Sequence, residues 1–365
     1  MVATGDVSRA SAQSSLVAHP VAGGEESRDR LAAIARMYYL DNLGQHEIAR
    51  ILGISRSQIS RLLTRARELG VVRISVDEYD PRDHPLEERL RAAFSLRHVV
   101  VVRTQDHDPE HVRRATGYFA APAVSELIQT GMRIGLAGGR TLAELIAHVV
   151  SGVRGVRGVT AVQLMGNIGP EAGEIDAAEL SRALAQRFGG TFFTVNAPAI
   201  VQDRAARDLF LAHDHIRAVW QLFSSLHLAL VGIGSPEDSA FIARGVIGQE
   251  ERKRLRAAGA VGEICGRFFD ASGRQCADPY HDRVVSIDLE TLRRCPDVVA
   301  VTNGAARTPA VRAALAARLV TSLVIDEHGA RALLALPPLP PWSQSAATVA
   351  SSLPGTREQG GHDGL

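Results

Sequence analysis

Four polar side chains near the start of one predicted helix have the chemistry needed to contact the edges of DNA bases. They are Arg56, Ser57, Gln58 and Arg61. Arginine forms paired hydrogen bonds with guanine in the major groove, and glutamine does so with adenine. The opposite side of the same helix is apolar, because Ile59, Leu62 and Leu63 recur at helical spacing. A helix of this kind can bury one side and present the other to a major groove.

The stretch 45–69, which contains this helix, predicts two short helices joined by a tight turn. The first helix has an apolar stripe made of Ile48, Ala49 and Leu52. Gly53 can adopt the positive φ that a sharp turn needs, and Ser55 is placed to cap the second helix. The pattern is typical of a helix-turn-helix motif. We expect contacts to the phosphate backbone from three residues of the motif, Gln45, Ser55 and Arg65.

Positive charge is concentrated around this motif. Residues 28–75 contain nine arginines and four acidic residues, whereas the whole chain of 365 residues has a net charge of +1. DNA binding requires such a local excess, because each phosphate contact neutralises a negative charge. Two alternatives are an ordinary helical hairpin with a solvated basic face and a protein-docking module. The docking module leaves the basic residues unexplained, and the agreement of turn, cap and charge favours DNA binding.

The remaining composition excludes several classes of protein. The chain has 45% hydrophobic residues, which supports a sizeable core, and three cysteines without metal-ligand or CxxC spacing. These cysteines are typical of free thiols in a reducing compartment. No apolar run is long enough to span a membrane and no signal-peptide pattern is present, so we expect a cytoplasmic protein without a membrane partner.

Catalytic and metal-binding motifs are also missing from the sequence. The chain contains no GxSxG, HExxH or paired Cys/His pattern, so we predict no catalytic residues, no metal and no cofactor. His213 and His215 could ligate a metal, but an exposed charged turn is the better interpretation.

The pattern changes along the chain. We predict a disordered lead at 1–25, a helix-turn-helix domain at 27–76, a linker at 77–85, a second, larger domain at 86–336 and a disordered tail at 337–365. The first domain begins with a helix at 27–41 and ends with a short strand at 71–76. Strands of the second domain are predicted at 96–103, 132–138, 159–165, 191–195, 227–233, 284–287, 298–302 and 322–326. Apolar strands that alternate with helices indicate an α/β fold with a mostly parallel sheet.

Three loops that follow predicted strands are candidates for binding a small molecule. In 135–141, GLAGGRT, a tight glycine turn precedes a helix that Thr141 opens, so backbone N–H groups, the Thr141 hydroxyl and Arg140 could hold an anion. In 303–315, Thr308 is a predicted N-cap and Pro309 the first helical residue, which places Arg307 beside a second helix start. The third loop, 231–238, has only part of a dinucleotide-binding pattern and is interpreted as a turn that lines a pocket. The first loop could also be a glycine turn that serves geometry alone, and the second a well-capped surface helix with an exposed arginine.

Two carboxylates complete the candidate site. Glu263 and Asp270 lie in GAVGEICGRFFD, near a predicted strand, and could accept hydrogen bonds from sugar hydroxyls. A single carboxylate is more often simply solvated.

Taken in order, these motifs resemble the SorC family of bacterial transcription regulators, sometimes called DeoR-like sugar-binding regulators. The resemblance covers roughly 27–336 and rests on the following segments: QHEIARILGISRSQISRLLTRARELGVV, GLAGGRTL, VQLMGNIG, ALAQRFGGTFFTVNAPAIV, LALVGIG, GAVGEICGRFFD and AVRAALAARLVTSLVIDE. It implies an effector domain with a fold similar to sugar-phosphate isomerases and deaminases, assembly as homodimers or homotetramers, and phosphorylated sugars or related molecules as effectors.

The resemblance also implies roles for individual residues. The phosphate-binding turn of the family falls on Gly138, Gly139, Arg140 and Thr141. Its acidic sugar contact falls on Glu263, and its basic phosphate contact, usually lysine in a GGxxK pattern, falls on Arg307. Here Asn303 and Gly304 stand where the family has two glycines, and Arg140 stands where many relatives have a small residue. Because arginine binds anions differently from lysine, the effector stays open among a sugar, a sugar phosphate and a polyol.

The sequence therefore predicts a ligand-responsive, DNA-binding transcriptional regulator of carbohydrate or polyol metabolism. Its expected partners are a double-stranded DNA operator, a small sugar-like effector and further copies of itself. The alternative is a sugar-phosphate isomerase-like enzyme with an accessory helical domain, which would turn over a sugar phosphate and show no salt-dependent binding to duplex DNA.

Overall fold

A computed structural model describes residues 27–337, except 76, 78, 106, 151–154 and 170–172. The predicted lead 1–25 and the tail beyond residue 337 therefore lie outside the described residues. The chain divides into two compact units, the first ending at Tyr79 and the second starting at Asp80.

The first unit consists of three helices around a small apolar core. The helices are α1 (Arg28–Tyr39), α2 (Gln45–Leu52) and α3 (Arg56–Glu68). The core contains the predicted Ile48, Ile59, Leu62 and Leu63 together with residues of α1. Gly53 has φ 65° and ends α2, as the turn requires. The helix-turn-helix prediction is confirmed in its elements.

Two details of the first unit differ from the sequence prediction. Leu52 is 42% exposed, because α2 is short and its last turn extends beyond the core. Residues 71–75 form bends and irregular backbone rather than a strand. Val71 and Val72 pack instead against the helical core, and this contact accounts for the apolar run.

The second unit contains a seven-stranded parallel sheet. Its strands, with the two short strands of a separate hairpin, are β1 (Val99–Val102), β2 (Arg133–Leu136), β3 (Thr160–Gln163), β4 (Thr191–Phe193), β5 (Leu228–Val231), β6 (Gly262–Ile264), β7 (Arg267–Phe269), β8 (Asp297–Val301) and β9 (Ser322–Asp326). The order across the sheet is β1-β9-β8-β5-β2-β3-β4, and every pair in it is parallel. This confirms the predicted α/β class.

Helices cover both faces of this sheet. They are α4 (His84–Phe94), α5 (Pro109–Leu127), α6 (Arg140–His148), α7 (Ala177–Arg187), α8 (Arg204–Ala212), α9 (Asp214–Phe223), α10 (Ala240–Ala243), α11 (Gln249–Ala257), α12 (Leu289–Arg293), α13 (Thr308–Ala316) and α14 (Glu327–Ala335), with 3-10 turns at Pro279–Arg283 and Ala305–Arg307. Alternate strand residues enter two separate cores, as Val99 and Val101 do on one face and Val100 and Val102 on the other. None of the described helices is long and apolar enough to cross a membrane.

The connections change direction between β2 and β5, which are neighbours in the sheet. The strands that follow β2 lie on one side of this pair, and the later strands β8 and β9 lie on the other. In open parallel sheets, such a reversal opens a crevice at the carboxyl ends of the strands, where ligands bind. A ligand site is therefore expected at the loops that follow Leu136 and Val231.

Three predictions about the second unit need correction. The stretch 284–287 is not a strand of the sheet; Val284 and Ser286 form isolated bridges to Ile200 and Met165, and main-chain hydrogen bonds join the stretch to the loop segments on both sides. Glu263 lies in an antiparallel hairpin, β6–β7, that the sequence analysis did not foresee.

The third correction concerns the predicted linker, 77–85. Part of it packs in the second unit, since α4 begins at His84 and Arg82 bridges to Val102. The Arg82 guanidinium is also 2.7 Å from the buried carboxylate of Glu87, which fixes the start of α4.

Candidate functional site

The polar face predicted on α3 is exposed. Arg56, Ser57, Gln58, Arg61 and Arg65 are all accessible to solvent, and Gln45 is half-buried. Arg56 and Arg61 form no hydrogen bond or ion pair with any described residue. Arg65 lies 3.4 Å from Glu68 in an exposed ion pair. The two unpaired guanidiniums are free to contact an external partner.

Ser55 and Gln58 together form a capping box at the start of α3. The Ser55 Oγ accepts a hydrogen bond from the Gln58 N–H at 3.2 Å, and the Gln58 Oε1 accepts one from the Ser55 N–H at 3.0 Å. The predicted cap is therefore confirmed, and the spacing of serine and glutamine was the signal for its second half. With Oε1 engaged, Gln58 keeps only its NH₂ group for an external acceptor, so pairing with adenine would require the box to open.

In the second unit, one cavity of about 440 Å³ lies at the carboxyl ends of β2 and β5. All six predicted effector contacts line it: Gly138, Gly139, Arg140, Thr141, Glu263 and Arg307. Apolar side chains such as Met165 and Phe241 form part of the wall. Asp270 is not among the lining residues; its carboxylate accepts hydrogen bonds within its own turn from Ser272 and Arg274.

The turn after β2 brings backbone donors to this cavity. A Cβ on Gly138 would lie 3.0 Å from the Ile175 carbonyl oxygen, so a larger residue would push this backbone apart by a few tenths of an ångström. Gly139, with φ 147°, precedes α6 and donates its N–H to the same oxygen at 2.9 Å. The N–H groups of Arg140, Thr141 and Leu142 form no hydrogen bond with any described residue. Unpaired N–H groups at a helix start can donate to an anion.

Helix α6 begins at Arg140, one residue before the predicted start. The sequence predicts that the Thr141 hydroxyl helps to hold an anion. In the structure this hydroxyl donates a hydrogen bond to the Asn303 Oδ1 at 2.9 Å.

Two arginines of the cavity converge on one carboxylate. Arg140 Nη2 lies 3.3 Å from Asp238 Oδ1, and Arg307 Nη2 contacts Asp238 Oδ2. Arg307 is held further by Asn303, whose main-chain oxygen accepts from its Nη1 at 2.9 Å. Both arginines predicted to contact an anion therefore contact Asp238, a carboxylate of the protein itself. In the sequence, the loop of Asp238 indicated only a turn that lines a pocket.

Glu263 is buried against the hairpin turn. Its Oε2 accepts from the Ser239 hydroxyl at 3.1 Å, and its Oε1 accepts from the Gly266 N–H. Burial raises the pKa of Glu263, although these two hydrogen bonds oppose the change. A Cβ on Gly234 would lie 2.6 Å from Oε2, so a larger residue at that position of the neighbouring loop would displace the Glu263 carboxyl group. Burial therefore extends the pH range in which Glu263 is protonated, and the protonated form can donate a hydrogen bond.

Comparison with known proteins gives this geometry a family. Residues 82–335 match the sugar-binding domain family, and residues 29–68 match region 4 of sigma-70. The deoxyribonucleoside regulator of Bacillus subtilis (strain 168) is 30% identical over 82% of this chain and 95% of its own length. The sorbitol operon regulator of Klebsiella pneumoniae is 30% identical over 83% of this chain and 97% of its own length. The chain belongs to the SorC family of transcriptional regulators.

Solved structures of the family agree with this assignment. The full-length sorbitol operon regulator SorC from Klebsiella pneumoniae has a TM-score of 0.68 and 29% identity, and the match covers 85% of this chain and 100% of that one. A DeoR family transcriptional regulator from Listeria monocytogenes has a TM-score of 0.64 and 27% identity, covering 68% of this chain and 98% of its own. These relatives are regulators rather than enzymes, so the alternative of an isomerase-like enzyme is not supported.

Further arginines of the cavity are paired within the protein. Arg113 Nη1 lies 3.1 Å from Glu144, and Arg244 Nη1 lies 2.6 Å from Asp176. Neither arginine was predicted as a cavity residue, because its acidic partner is distant along the chain. They add positive potential to the wall without being free to bind.

The second predicted helix start also differs in detail. Thr308 is the first residue of α13 rather than its cap, and its hydroxyl donates to the Ala305 carbonyl at 2.8 Å. Because a 3-10 turn directly precedes α13, the N-cap residue of α13 is Arg307. The Arg307 side chain lines the cavity.

The two histidines considered as metal ligands lie next to each other at the start of α9. His213 and His215 stack with ring centroids 5.4 Å apart. Over the described part of the chain, no group of three or more His, Cys, Asp or Glu could hold a metal ion. The three cysteines are buried and free, and burial raises the pKa of Cys276 to about 11, so its thiolate is disfavoured.

Proposed function

We propose that this regulator binds operator DNA through α3 and that a small anionic sugar derivative in the cavity controls the binding. Arg56, Ser57, Gln58 and Arg61 contact bases in the major groove, while Gln45, Ser55 and Arg65 contact phosphates. The phosphate or other acidic group of the effector binds at the start of α6, between Arg140 and Arg307. Glu263 binds a hydroxyl of the same molecule.

The observation that carries the effector proposal is the meeting of three kinds of group in one cavity. Free N–H donors of α6, two arginines and a buried carboxylic acid lie around a volume of about 440 Å³ at the reversal of the sheet. This is the size and chemistry of a site for a small ligand with an acidic end and a hydroxylated body. The names of two relatives refer to sorbitol and to deoxyribonucleosides, which supports an effector related to sugars or polyols.

The DNA proposal depends on the unpaired charge of α3. An exposed guanidinium without an internal partner binds an external acceptor without first breaking an ion pair. In a dimer, two copies of α3 would enter major grooves about 34 Å apart, or a multiple of that. The effector acts by binding one arrangement of the oligomer more tightly, a coupling typically worth about 1–3 kcal/mol.

The test compares two arginine variants in the full-length protein. We expect Arg61→Ala to weaken binding to a duplex from its own promoter region by about 1–3 kcal/mol and to relax the sequence preference. Arg36→Ala is the control, because Arg36 lies on α1, 3.9 Å from Asp41 and outside the helix pair. Fluorescence anisotropy titrations measure both affinities at one fixed salt concentration. Unchanged affinity and preference for Arg61→Ala would remove this residue from the interface.

A further inference from the structure

We propose that Asp238 is a tethered competitor for the acidic group of the effector, so that it restricts the cavity to ligands with enough negative charge to displace it. This inference rests on the proposed function, namely that Arg140 and Arg307 bind the acidic group. It adds a residue that determines specificity.

Asp238 occupies the position that an effector anion needs. One carboxylate oxygen contacts Arg140 and the other contacts Arg307, so a single carboxylate satisfies both guanidiniums. Arg140 forms no other side-chain ion pair or hydrogen bond among the described residues. The Arg307 side chain is only 18% exposed; its Nη1 donates to both oxygens of Asn303, and its Nη2 contacts Asp238. A ligand anion that bridges the same nitrogens of Arg140 and Arg307 must therefore displace the Asp238 carboxylate.

The backbone fixes Asp238 while its side chain can leave. Ser235 and Asp238 exchange two main-chain hydrogen bonds of 3.2 Å, and the Ser235 Oγ accepts from the Asp238 N–H at 3.1 Å. The next residue, Ser239, is anchored to Glu263. The Asp238 side chain is 48% exposed, so a change of rotamer can carry its carboxylate into solvent without breaking this turn. A group held in this way competes at an effective concentration in about the millimolar range.

Competition makes the charge of the ligand decisive. A phosphate monoester carries a charge of about −1.5 to −2 at neutral pH, against the single charge of a carboxylate, so it gains more from the two arginines. It can also accept from the free N–H groups of α6, which Asp238 does not contact. An uncharged polyol gains nothing at the arginines and leaves Asp238 in place.

The experiment removes the competing charge and measures the affinity of the full-length protein for inorganic phosphate by isothermal titration calorimetry. We expect Asp238→Asn to bind phosphate at least about threefold more tightly than the unchanged protein, because the fraction of free site rises. Glu237→Gln is the matched control, since it removes the same charge from the adjacent residue. Glu237 pairs with Arg256 at 2.7 Å and does not line the cavity.

Each outcome decides the matter. An equal or weaker affinity of Asp238→Asn would show that Asp238 positions the arginines instead of blocking them, and would overturn the inference. A similar gain in Glu237→Gln, or an equal gain for uncharged sorbitol, would do the same, because the effect would then be general. If the unchanged protein binds phosphate and Asp238→Asn shows no gain, only this inference fails. If neither binds phosphate, the proposed anionic effector fails with it.

Discussion

Glu263 has no cationic partner among the described residues, and this sets it apart from Asp238, the other acid that lines the cavity. Its two hydrogen bonds, from Ser239 and Gly266, only partly offset the burial that raises its pKa. A neutral carboxylic acid can donate a hydrogen bond to a sugar hydroxyl as well as accept one. The residue therefore suits a ligand whose charge lies at its other end.

The raised pKa of Glu263 predicts a pH dependence of folding. The unfolded chain ionises this group near its ordinary value of 4.5, while the folded protein holds the proton to higher pH. In that window the unfolded state binds fewer protons, so the free energy of unfolding falls as pH rises, by at most about 1.4 kcal/mol per pH unit. We expect Glu263→Gln to remove this decline, measured by urea unfolding at several pH values from 4.5 upward.

Asp270→Asn is the control variant for this measurement, because the pKa of Asp270 is shifted in the opposite direction from that of Glu263. Burial opposes ionisation of Asp270, but hydrogen bonds from Ser272 and Arg274 outweigh it and lower its pKa. Its stabilising effect is present above its ordinary pKa and is lost only in more acidic solution. If the free energy of unfolding of Glu263→Gln still falls as the pH rises above 4.5, the decline does not arise from Glu263.

At the residue scale, the sequence predicted the six cavity residues mostly through the family resemblance, and the structure brings them together. It did not predict their partners. Asp238 pairs with Arg140 and Arg307 over separations of 98 and 69 residues, and no local pattern encodes such a contact. Asn303 stands where the family has glycine, and Arg307 stands where it has the shorter lysine. These two departures are linked, because both oxygens of Asn303 accept hydrogen bonds from the Arg307 side chain.

At the scale of elements, the start of α3 depends on its capping box. Ser55 accepts from the Gln58 N–H, and this bond satisfies one of the donors that a helix leaves unpaired. The same turn carries Arg56 and Ser57, so its order affects DNA binding as well as stability.

We expect Ser55→Ala to destabilise the first unit by about 1 kcal/mol and to weaken operator binding. Ser60→Ala is the control, because Ser60 is exposed within α3 and alanine is favourable in a helix interior. Thermal unfolding followed by circular dichroism gives the first quantity, and anisotropy titration gives the second. Equal stability of the two variants would show that the cap contributes little.

Elements with strong local signals were predicted well, and those that depend on partners were not. The periodicity of α3 and the apolar runs of β1, β5 and β9 gave these elements within a few residues. The hairpin β6–β7 was missed because its two-residue turn is Cys265–Gly266, with φ 52° and 78°. Positive φ at cysteine is unusual, and the common Asn-Gly signal for such a turn is absent. Strand β4 was predicted, but Phe192 and Phe193 are exposed because it lies at the sheet edge.

At the scale of the whole molecule, the two compact units have separate apolar cores. A ligand that binds only the folded form of one unit stabilises that unit by mass action. The proposed anion site lies entirely within the second unit, whereas the proposed DNA contacts lie within the first.

Differential scanning calorimetry should therefore resolve two unfolding transitions, and inorganic phosphate should move only the one of the second unit. The stabilisation expected is about 2.7 kcal/mol at a phosphate concentration about 100 times the dissociation constant. Arg307→Gln should abolish most of this shift, while Arg256→Gln, outside the cavity, should preserve it. A shift of both transitions, or none in the unchanged protein, would argue against a separate anion site in the second unit.

The free N–H groups at the start of α6 belong to the main chain, so replacing the side chains around them does not remove them. Substitutions at Arg140, Asp238 or Arg307 would alter which molecule fits while the attraction for negative charge persists. Gly138 keeps this geometry in place because a Cβ there would approach the Ile175 oxygen to 3.0 Å. New effectors can thus be acquired by exchange of a few side chains on an unchanged frame, provided that each new molecule retains an acidic end.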